Sequence, residues 1–461
     1  MAAVTDDQWV GLQGSTTPPG PRGKPLLGSL LEMRGKGPLD FYTGLWREFG
    51  DVFHHRIGTV PVYGFIHPDQ VEYVLKTNKD NFDKGTLIEI RGRRVMGQSL
   101  LMSEGDVWQH VRRLMDPPFS KEGVPDFFWT MTGATEMLLS RWQEVARKGE
   151  VVEMQDEMML LSFSMISRLV FSEDLSEGAS ETRHAITFLL NYVQDIILAV
   201  VDIPPWVPTP KNRRFQAAKK KVDAFVTAHI EARRRDPDSA HDLISHLLQA
   251  RDENGRGMTD SQVRDQVLTT FIAGQENAAL VLAWFWYLLS QHPDVEEQLH
   301  AELAEVLNGR IPTLEDMPRL EYTRRVLEEA MRLYPPLWIQ GRVNLKDDVI
   351  GGYRVPAGST VILIEYLTHR HPDFFENPET FDPDRMLPER TAGIARYAFF
   401  PFGGGKRKCI GNKYSTFAFL VAVGTLAQHF RVRLKPNHRV EPIAVAALRP
   451  RYGLPMTLEP R

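Results

Sequence analysis

PFGGGKRKCI, residues 401–410, holds the only cysteine of a 461-residue chain and surrounds it with glycine and base. A lone cysteine is most often a small buried hydrophobe, but the neighbours of Cys409 argue for chemistry. Gly403, Gly404 and Gly405 allow a tight turn that brings backbone N–H groups close to an acceptor, and Lys406, Arg407 and Lys408 favour the thiolate over the thiol. The stretch GNKYSTFAFLVAVGTLA, 411–427, reads as an apolar helix whose N-terminal dipole acts in the same direction. A sulfur presented as an anion can serve as a redox nucleophile, a zinc ligand or an axial ligand to haem iron. A resolving cysteine is absent, zinc lacks further ligands nearby, and haem fits best.

The rest of the composition narrows the class. Hydrophobic residues make up 43% and charged residues 25%, the balance of a chain that buries a sizeable core. A formal charge of −4 offers no basic excess for nucleic acid. One cysteine cannot form an internal disulfide, so a reducing, cytoplasmic setting is expected. The first residues, MAAVTDDQWVGLQGST, carry acids where a secretory signal needs base and an apolar run. The longest apolar run, Ala278 to Leu289, is too short for a membrane anchor and reads as a buried helix.

No segment reads as a flexible linker. Residues 1–17 are expected to form a tail and 18–461 a single domain. TTPPGPRGKPLLGSL, from Thr16 to Leu30, is too rich in proline and glycine for regular structure and reads as an extended arm over the surface. PLDFYTGLWREF has helical spacing and a glycine stop, VFHHRIGTVPVYGFI reads as two strands joined at Gly58, and HPDQVEYVLKT as another helix. Helical patterns dominate from Asp106 to about His300, and strand signals return around Val355 to Tyr366 and near the end. The parts interleave, which predicts an α+β class, mainly α, with a smaller β-rich portion.

One element dominates the helical region. Residues Thr259 to Pro293 can form one helix of about nine turns, apolar nearly all round in its second half, as a helix through the middle of a protein would be. Its centre reads AGQEN, which places Gly274, Glu276 and Asn277 in the core, where a helix-weakening glycine and a buried acid are both costly. Either a polar site lies beside them, or Glu276 pairs with an arginine from a neighbouring helix.

The spacing Phe402, Gly405, Arg407, Cys409, Gly411 matches the pattern F-x-x-G-x-R-x-C-x-G of the cytochrome P-450 superfamily at every fixed position, and the chain resembles that family from about Pro18 to Pro455. EEAMR supplies its E-x-x-R as Glu329 and Arg332, and FDPDRM resembles its P-E-R-F segment, with Asp384 where glutamate is usual and Arg385 completing a structural Glu-Arg-Arg triad. GDVWQHVRRLMDPPFS resembles the W-x-x-x-R segment. The resemblance implies that Trp108, Arg112, Arg342 and Arg407 face the propionates of haem b, with Cys409 as the axial thiolate and Phe402, Gly403, Gly411, Ala273 and Gly274 around the cofactor. Cations facing buried carboxylates is the physical logic.

It further implies a long central helix in the family's fold and a haem-thiolate monooxygenase that takes O2 and inserts one oxygen atom into a C–H bond. The family's proton-delivery motif A/G-G-x-D/E-T-T/S reads here Ala273, Gly274, Gln275, Glu276, Asn277, Ala278. The acid is kept and both hydroxyls are lost. An amide offers no rotatable hydroxyl that both gives and takes a proton, so Asn277 is expected to orient oxygen or a water, or to contact a polar group of the substrate, while Glu276 feeds protons through solvent.

Family position implies substrate contacts in the loop Thr86 to Leu101 with Leu87, in Leu189 to Trp206, at Leu337, Trp338 and Ile339, at Val445 to Ala447 with Ala446, and at Phe271 and Ile272 of the central helix. These are largely apolar and suit a terpenoid, steroid or fatty-chain compound. Electrons are expected from an external ferredoxin with its NAD(P)H-dependent reductase, docking near Lys406, Arg407, Lys408, Lys413 and Arg113. The missing alcohol keeps two alternatives in view: a haem protein that senses a ligand or binds a partner, and a haem enzyme that uses peroxide.

Overall fold

A computed structural model describes residues 16–176, 181–198 and 203–461, with the backbone alone at 87, 88, 194, 197 and 198. The chain divides into two compact units, each assembled from separated stretches: Met1–Thr86, Leu337–Thr380 and Gly393–Lys408 in the first, and Leu87–Pro336, Phe381–Ala392 and Cys409–Arg461 in the second. Residues 1–15 of the expected tail lie outside the described residues.

A five-stranded sheet organises the first unit, in the order Val52–Ile57, Val60–Phe65, Thr360–Leu363, Gln340–Asn344, Phe82–Asp83. The first two strands are the hairpin expected around Gly58, in register Val52↔Phe65. The parallel pairing Val62↔Thr360 then joins residues nearly three hundred positions apart. Phe65, Val361 and Leu363 pack with Val71, Leu75 and Phe400 into one core. The arm lies along the sheet edge as its composition predicts: the His54 N–H donates to the Pro19 carbonyl at 2.9 Å. The helix expected at HPDQVEYVLKT forms as Pro68–Glu72 and then loosens into a π turn, Tyr73–Thr77.

The second unit is helical. Its longest element, Asp260–Gln291, starts where Thr259 and Gln262 cap each other reciprocally. It runs against Met154–Phe171, and Gly274 permits that approach: a Cβ there would lie 2.8 Å from the Ile166 side chain. Farther along, Trp284 stacks on Tyr334 with ring centroids 4.0 Å apart and donates through Nε1 to the Leu448 carbonyl at 3.0 Å. Leu448 N–H donates in turn to the Pro336 carbonyl at 2.9 Å. Those two bonds fix the hairpin Pro442–Ala444 and Leu448–Pro450. A three-stranded sheet, Val151–Glu153, Pro455–Pro460 and Phe430–Leu434, closes the unit.

Helix Glu321–Leu333 ends just before the Pro335-Pro336 pair. Its Glu329 and Arg332 are fully buried and joined by two bonds, Nε to Oε2 at 2.7 Å and Nη2 to Oε1 at 2.8 Å. Arg385 reaches Glu329 Oε1 at 3.4 Å, and the Asp382 N–H donates to the same oxygen at 3.1 Å. Asp384 pairs outward with Arg325 at 2.7 Å. Because removing one partner strands a buried charge, Glu329→Ala should cost about 3–5 kcal/mol. Arg385→Ala, which leaves both Arg332 bonds to Glu329 in place, should cost less, and denaturant midpoints of the two holoenzyme variants measure the order. Equal shifts would show that Glu329 does not hold the cluster.

Candidate active site

The loop ahead of Cys409 is built in the first unit. The Phe400 N–H donates to His369 Nε2 at 3.0 Å, which places the proton of that buried ring on Nδ1. The Gly403 N–H donates to the Phe400 carbonyl at 2.8 Å and turns the chain. At Gly405, with φ +60°, an added Cβ would fall 1.6 Å from the Leu75 carbonyl oxygen in the π turn, so no side chain is possible there. Phe402 is half-buried beside them. Lys406 pairs with Asp80 at 3.2 Å. Arg342 is buried, with Nη1 donating to the Gly341 carbonyl at 2.8 Å and Nη2 to Gln340 Oε1 at 3.3 Å.

Cys409 opens the last stretch of the second unit as an exposed cysteine outside any disulfide. Gly411 caps helix Asn412–His429, whose first turn carries no acid and presents Lys413 to solvent. Buried Tyr414 roots the helix start, its hydroxyl bonded to Thr130 Oγ1 at 2.8 Å. Trp108 and Arg112 stand one turn apart on helix Gly105–Phe119, Trp108 buried and Arg112 paired with Asp116 at 2.8 Å.

The centre of the long helix differs from its expected burial. Phe271, Gln275, Ala279 and Leu280 are buried, yet Ala273 and Asn277, one turn apart, form an exposed face, and Glu276 is only partly covered. Helical periodicity explains the split: 275 and 279 turn inward while 273 and 277 turn out. Asn277 Nδ2 donates to the Ala273 carbonyl at 3.2 Å. Glu276 forms an ion pair with Arg449. That arginine comes from a strand of the Pro442–Pro450 hairpin and not from a helix.

The expected substrate segments fall unevenly. The stretch Thr86 to Leu101 is not a loop: Leu87–Met96 is helical, a pattern that Gly92 obscures in the sequence. Of Leu87 only the backbone is described. Beyond that helix, the Gln98 and Leu100 N–H groups donate to Asp265 Oδ2 and Gln266 Oε1 at 2.9 and 2.8 Å, tying the segment to the central helix. Burial pushes the Asp265 carboxyl above its ordinary range, against the pull of the Gln98 N–H and Arg264. Phe271 packs between Phe163 and Phe171, and with Ile272, Val95 and Leu189 it lines a narrow, wholly apolar cavity. Part of the expected segment Leu189 to Trp206, residues 199–202, lies outside the described residues.

Ala446 is half-buried at the hairpin turn. Leu337 is exposed and Ile339 half-buried, whereas Trp338 points into the first unit's core against Tyr42. Sequence reasoning missed Arg449, and also Gln340, whose amide backs Arg342. The signal for Arg449 was the unexplained acid at 276; nothing local marked Gln340.

Taken residue by residue, the donors fit a haem. They comprise an exposed cysteine just ahead of a helix N-terminus, a loop at 403–405 in which Gly405 lies too close to the Leu75 carbonyl for any side chain, and arginines at 112, 342 and 407. Among the described residues, no group of three or more His, Cys, Asp or Glu is placed to hold a metal ion. Among them, too, no helix is long and apolar enough to cross a membrane.

The family model for Cytochrome P450 matches residues 18–454. A cyclooctat-9-en-7-ol 5-monooxygenase of Streptomyces melanosporofaciens is 36% identical, over 92% of this chain and 91% of that one. A pentalenene oxygenase of Streptomyces avermitilis is 33% identical, over 93% and 94%. Among solved structures, the haem domain of cytochrome P450DA superposes with a TM-score of 0.89 at 26% identity, over 97% of this chain and 98% of that one. A retinoic-acid-bound cyanobacterial enzyme gives 0.86 at 25% identity, over 97% and 100%. With its cysteine loop, buried Glu-Arg-Arg cluster and long helix set beside these matches, the chain belongs to the cytochrome P450 family, as a haem-thiolate monooxygenase of mainly α, α+β fold.

Proposed function

We propose that this monooxygenase hydroxylates a terpenoid skeleton, with Cys409 as the thiolate that binds the haem iron and Glu276 and Asn277 on the oxygen side. The observation that carries the reading is the exposed Ala273–Asn277 face at the centre of a helix that is otherwise packed into the core. A terpenoid substrate is favoured by two relatives named for cyclooctat-9-en-7-ol and pentalenene.

When bound, the haem activates O2 with two electrons and two protons, one oxygen leaving as water and the other entering the substrate. The protein's own residues set the conditions. Cys409 is the chain's one thiol, and Arg112, Arg342 and Arg407 are assigned to the propionates with Trp108. Phe402, Gly403, Gly411, Ala273 and Gly274 are assigned to the walls around the ring. Asn277 commits Nδ2 to the Ala273 carbonyl, which leaves Oδ1 and one N–H to orient oxygen, a water or a substrate hydroxyl. Glu276 carries protons from solvent, and it does so when its pair with Arg449 opens.

Electrons come from a ferredoxin and its NAD(P)H-dependent reductase, and the proposal includes a reducing cytoplasmic setting, which a single cysteine favours. Lys408 and Lys413 are exposed, and the Arg113–Glu253 pair at 2.7 Å lies in solvent, where it is weak enough to exchange for a partner's acid.

The reduced protein with carbon monoxide should give the red-shifted Soret band of a thiolate ligand, and terpenoids should shift the ferric haem to high spin more often than steroids or fatty acids. Cys409→Ser should lose the thiolate band; its survival would refute the ligand assignment. Asn277→Ala should lower the yield of product per NADPH by about 2- to 10-fold, the worth of one hydrogen bond, and Asn277→Thr should recover part of it. Unchanged coupling in both would sink the oxygen-side role. Haem reduction by ferredoxin should slow several-fold from low to high ionic strength as the exposed lysines are screened; salt-independent reduction would refute electrostatic docking.

A further inference from the structure

Glu365 lies where an apolar residue would cost the fold less. It follows the strand Thr360–Leu363 and opens the single turn Glu365–Thr368, with no exposed surface. Its Oε1 accepts from Gln340 Nε2, while Oε2 is buried with no hydrogen-bond partner. Gln340 passes the contact on: its Oε1 accepts from Arg342 Nη2 at 3.3 Å. From the other side, a Cβ at Gly403 would lie 3.4 Å from Gln340 Nε2, so the cysteine loop passes directly over this amide. All four residues belong to the first unit.

An amide has two ends, and something must decide which one faces the arginine. With Nε2 drawn to the carboxyl, Oε1 is the end offered to Arg342. Without the carboxyl that preference is gone, and the guanidinium loses its inner acceptor. We propose that Glu365 is a positioning residue for the haem, acting through Gln340 to hold Arg342 where it meets a propionate, and that its charge is linked to haem binding. The proposal rests on the assignment of Arg342 to a propionate made above.

The linkage has a definite sign. Burial pushes the Glu365 carboxyl up to about 8, against the hydrogen bond from Gln340 and the charge of Arg342. Gln340 and Arg342 are the polar and charged groups that bear on it from the neighbouring strand. His369, on its own turn, has Nε2 occupied by the Phe400 N–H, and Gly403 brings no charge. A propionate on Arg342 offsets the positive charge that favours the carboxylate, so Glu365 holds its proton more firmly with haem bound. By reciprocity the protonated protein holds haem more firmly. Haem affinity is then constant below about pH 8 and falls above it, by at most about tenfold per pH unit for one proton.

The test is transfer of haem from full-length holoenzyme to excess apomyoglobin, followed at the Soret band from about pH 6 to about pH 9.5. Wild type should release haem faster above about pH 8. Glu365→Gln, which keeps an acceptor for Gln340 but cannot ionise, should hold haem as wild type does at neutral pH and show a flatter profile. Glu365→Leu should release it several-fold faster at every pH; should that variant not fold, the Gln variant carries the test alone. Arg342→Gln distinguishes the two readings. If it releases haem as slowly as wild type, Arg342 is not a propionate partner and both readings fall. If it releases haem quickly while Glu365→Gln keeps the wild-type pH profile, the arginine assignment stands and the role of Glu365 is refuted.

Discussion

The carboxylate of Glu329 is the anchor for the chain that leads to the sulfur. It is fully buried, and it is bearable only because Arg332 meets it with two bonds and the Arg385 guanidinium and Asp382 N–H approach the same oxygen. Through it the segment Phe381–Ala392, which holds only two short helical turns, Pro383–Met386 and Pro388–Thr391, is tied to helix Glu321–Leu333. The chain then runs straight into residues 393–408 and Cys409. A surface ion pair at the same spacing would be worth under about 1 kcal/mol and could not fix a segment. Burial is what turns two arginines and one acid into a structural joint.

A second constraint governs the central helix. An apolar helix must be sealed by its neighbours, yet this one leaves Ala273 and Asn277 exposed in its middle. The sequence resolves the conflict by position. Gly274 lets Ile166 approach, buried residues on either side keep the helix packed, and away from the helix ends Ala273 and Asn277 are its exposed positions. The acid between them is not left alone: Arg449 partly neutralises it. Leu448, the residue before that arginine, is bonded on one side to Trp284 and on the other to Pro336, so the hairpin has little freedom to place the cation elsewhere.

What could be read without the structure was whatever depends on near neighbours. The cysteine loop, the capped helix from Thr259, the hairpin at Gly58 and the E-x-x-R pair each span few residues and carry their reasons locally. The class followed from the interleaving of helical and strand patterns. Contacts set by pairing between distant stretches could not be read. Arg449 lies 173 positions from Glu276, and Gln340 meets Glu365 only because two strands pair in the register Gln340↔Leu363. Trp338 misleads for the same reason. An aromatic residue after the E-x-x-R helix looks available to a substrate, but the strand that begins at Gln340 turns its ring toward Tyr42. The chain's division into two units was equally invisible, because both are built from separated stretches with no linker between them.

In the proposed function, an amide at position 277 in place of an alcohol changes how the work near the oxygen is divided. A hydroxyl can orient a neighbour and pass a proton; an amide can only orient. With its Nδ2 spent on the Ala273 carbonyl, Asn277 is also less free to turn than a solvated side chain, so the geometry it imposes is fixed by the helix itself. In the proposed function proton supply then falls to Glu276, which is held in its ion pair with Arg449. That arginine lies three residues beyond Ala446 on one short hairpin. A substitution in the hairpin therefore acts on the partner of Glu276 as well as on Ala446, so that on the proposed function a change in substrate preference made there would carry a change in proton delivery with it.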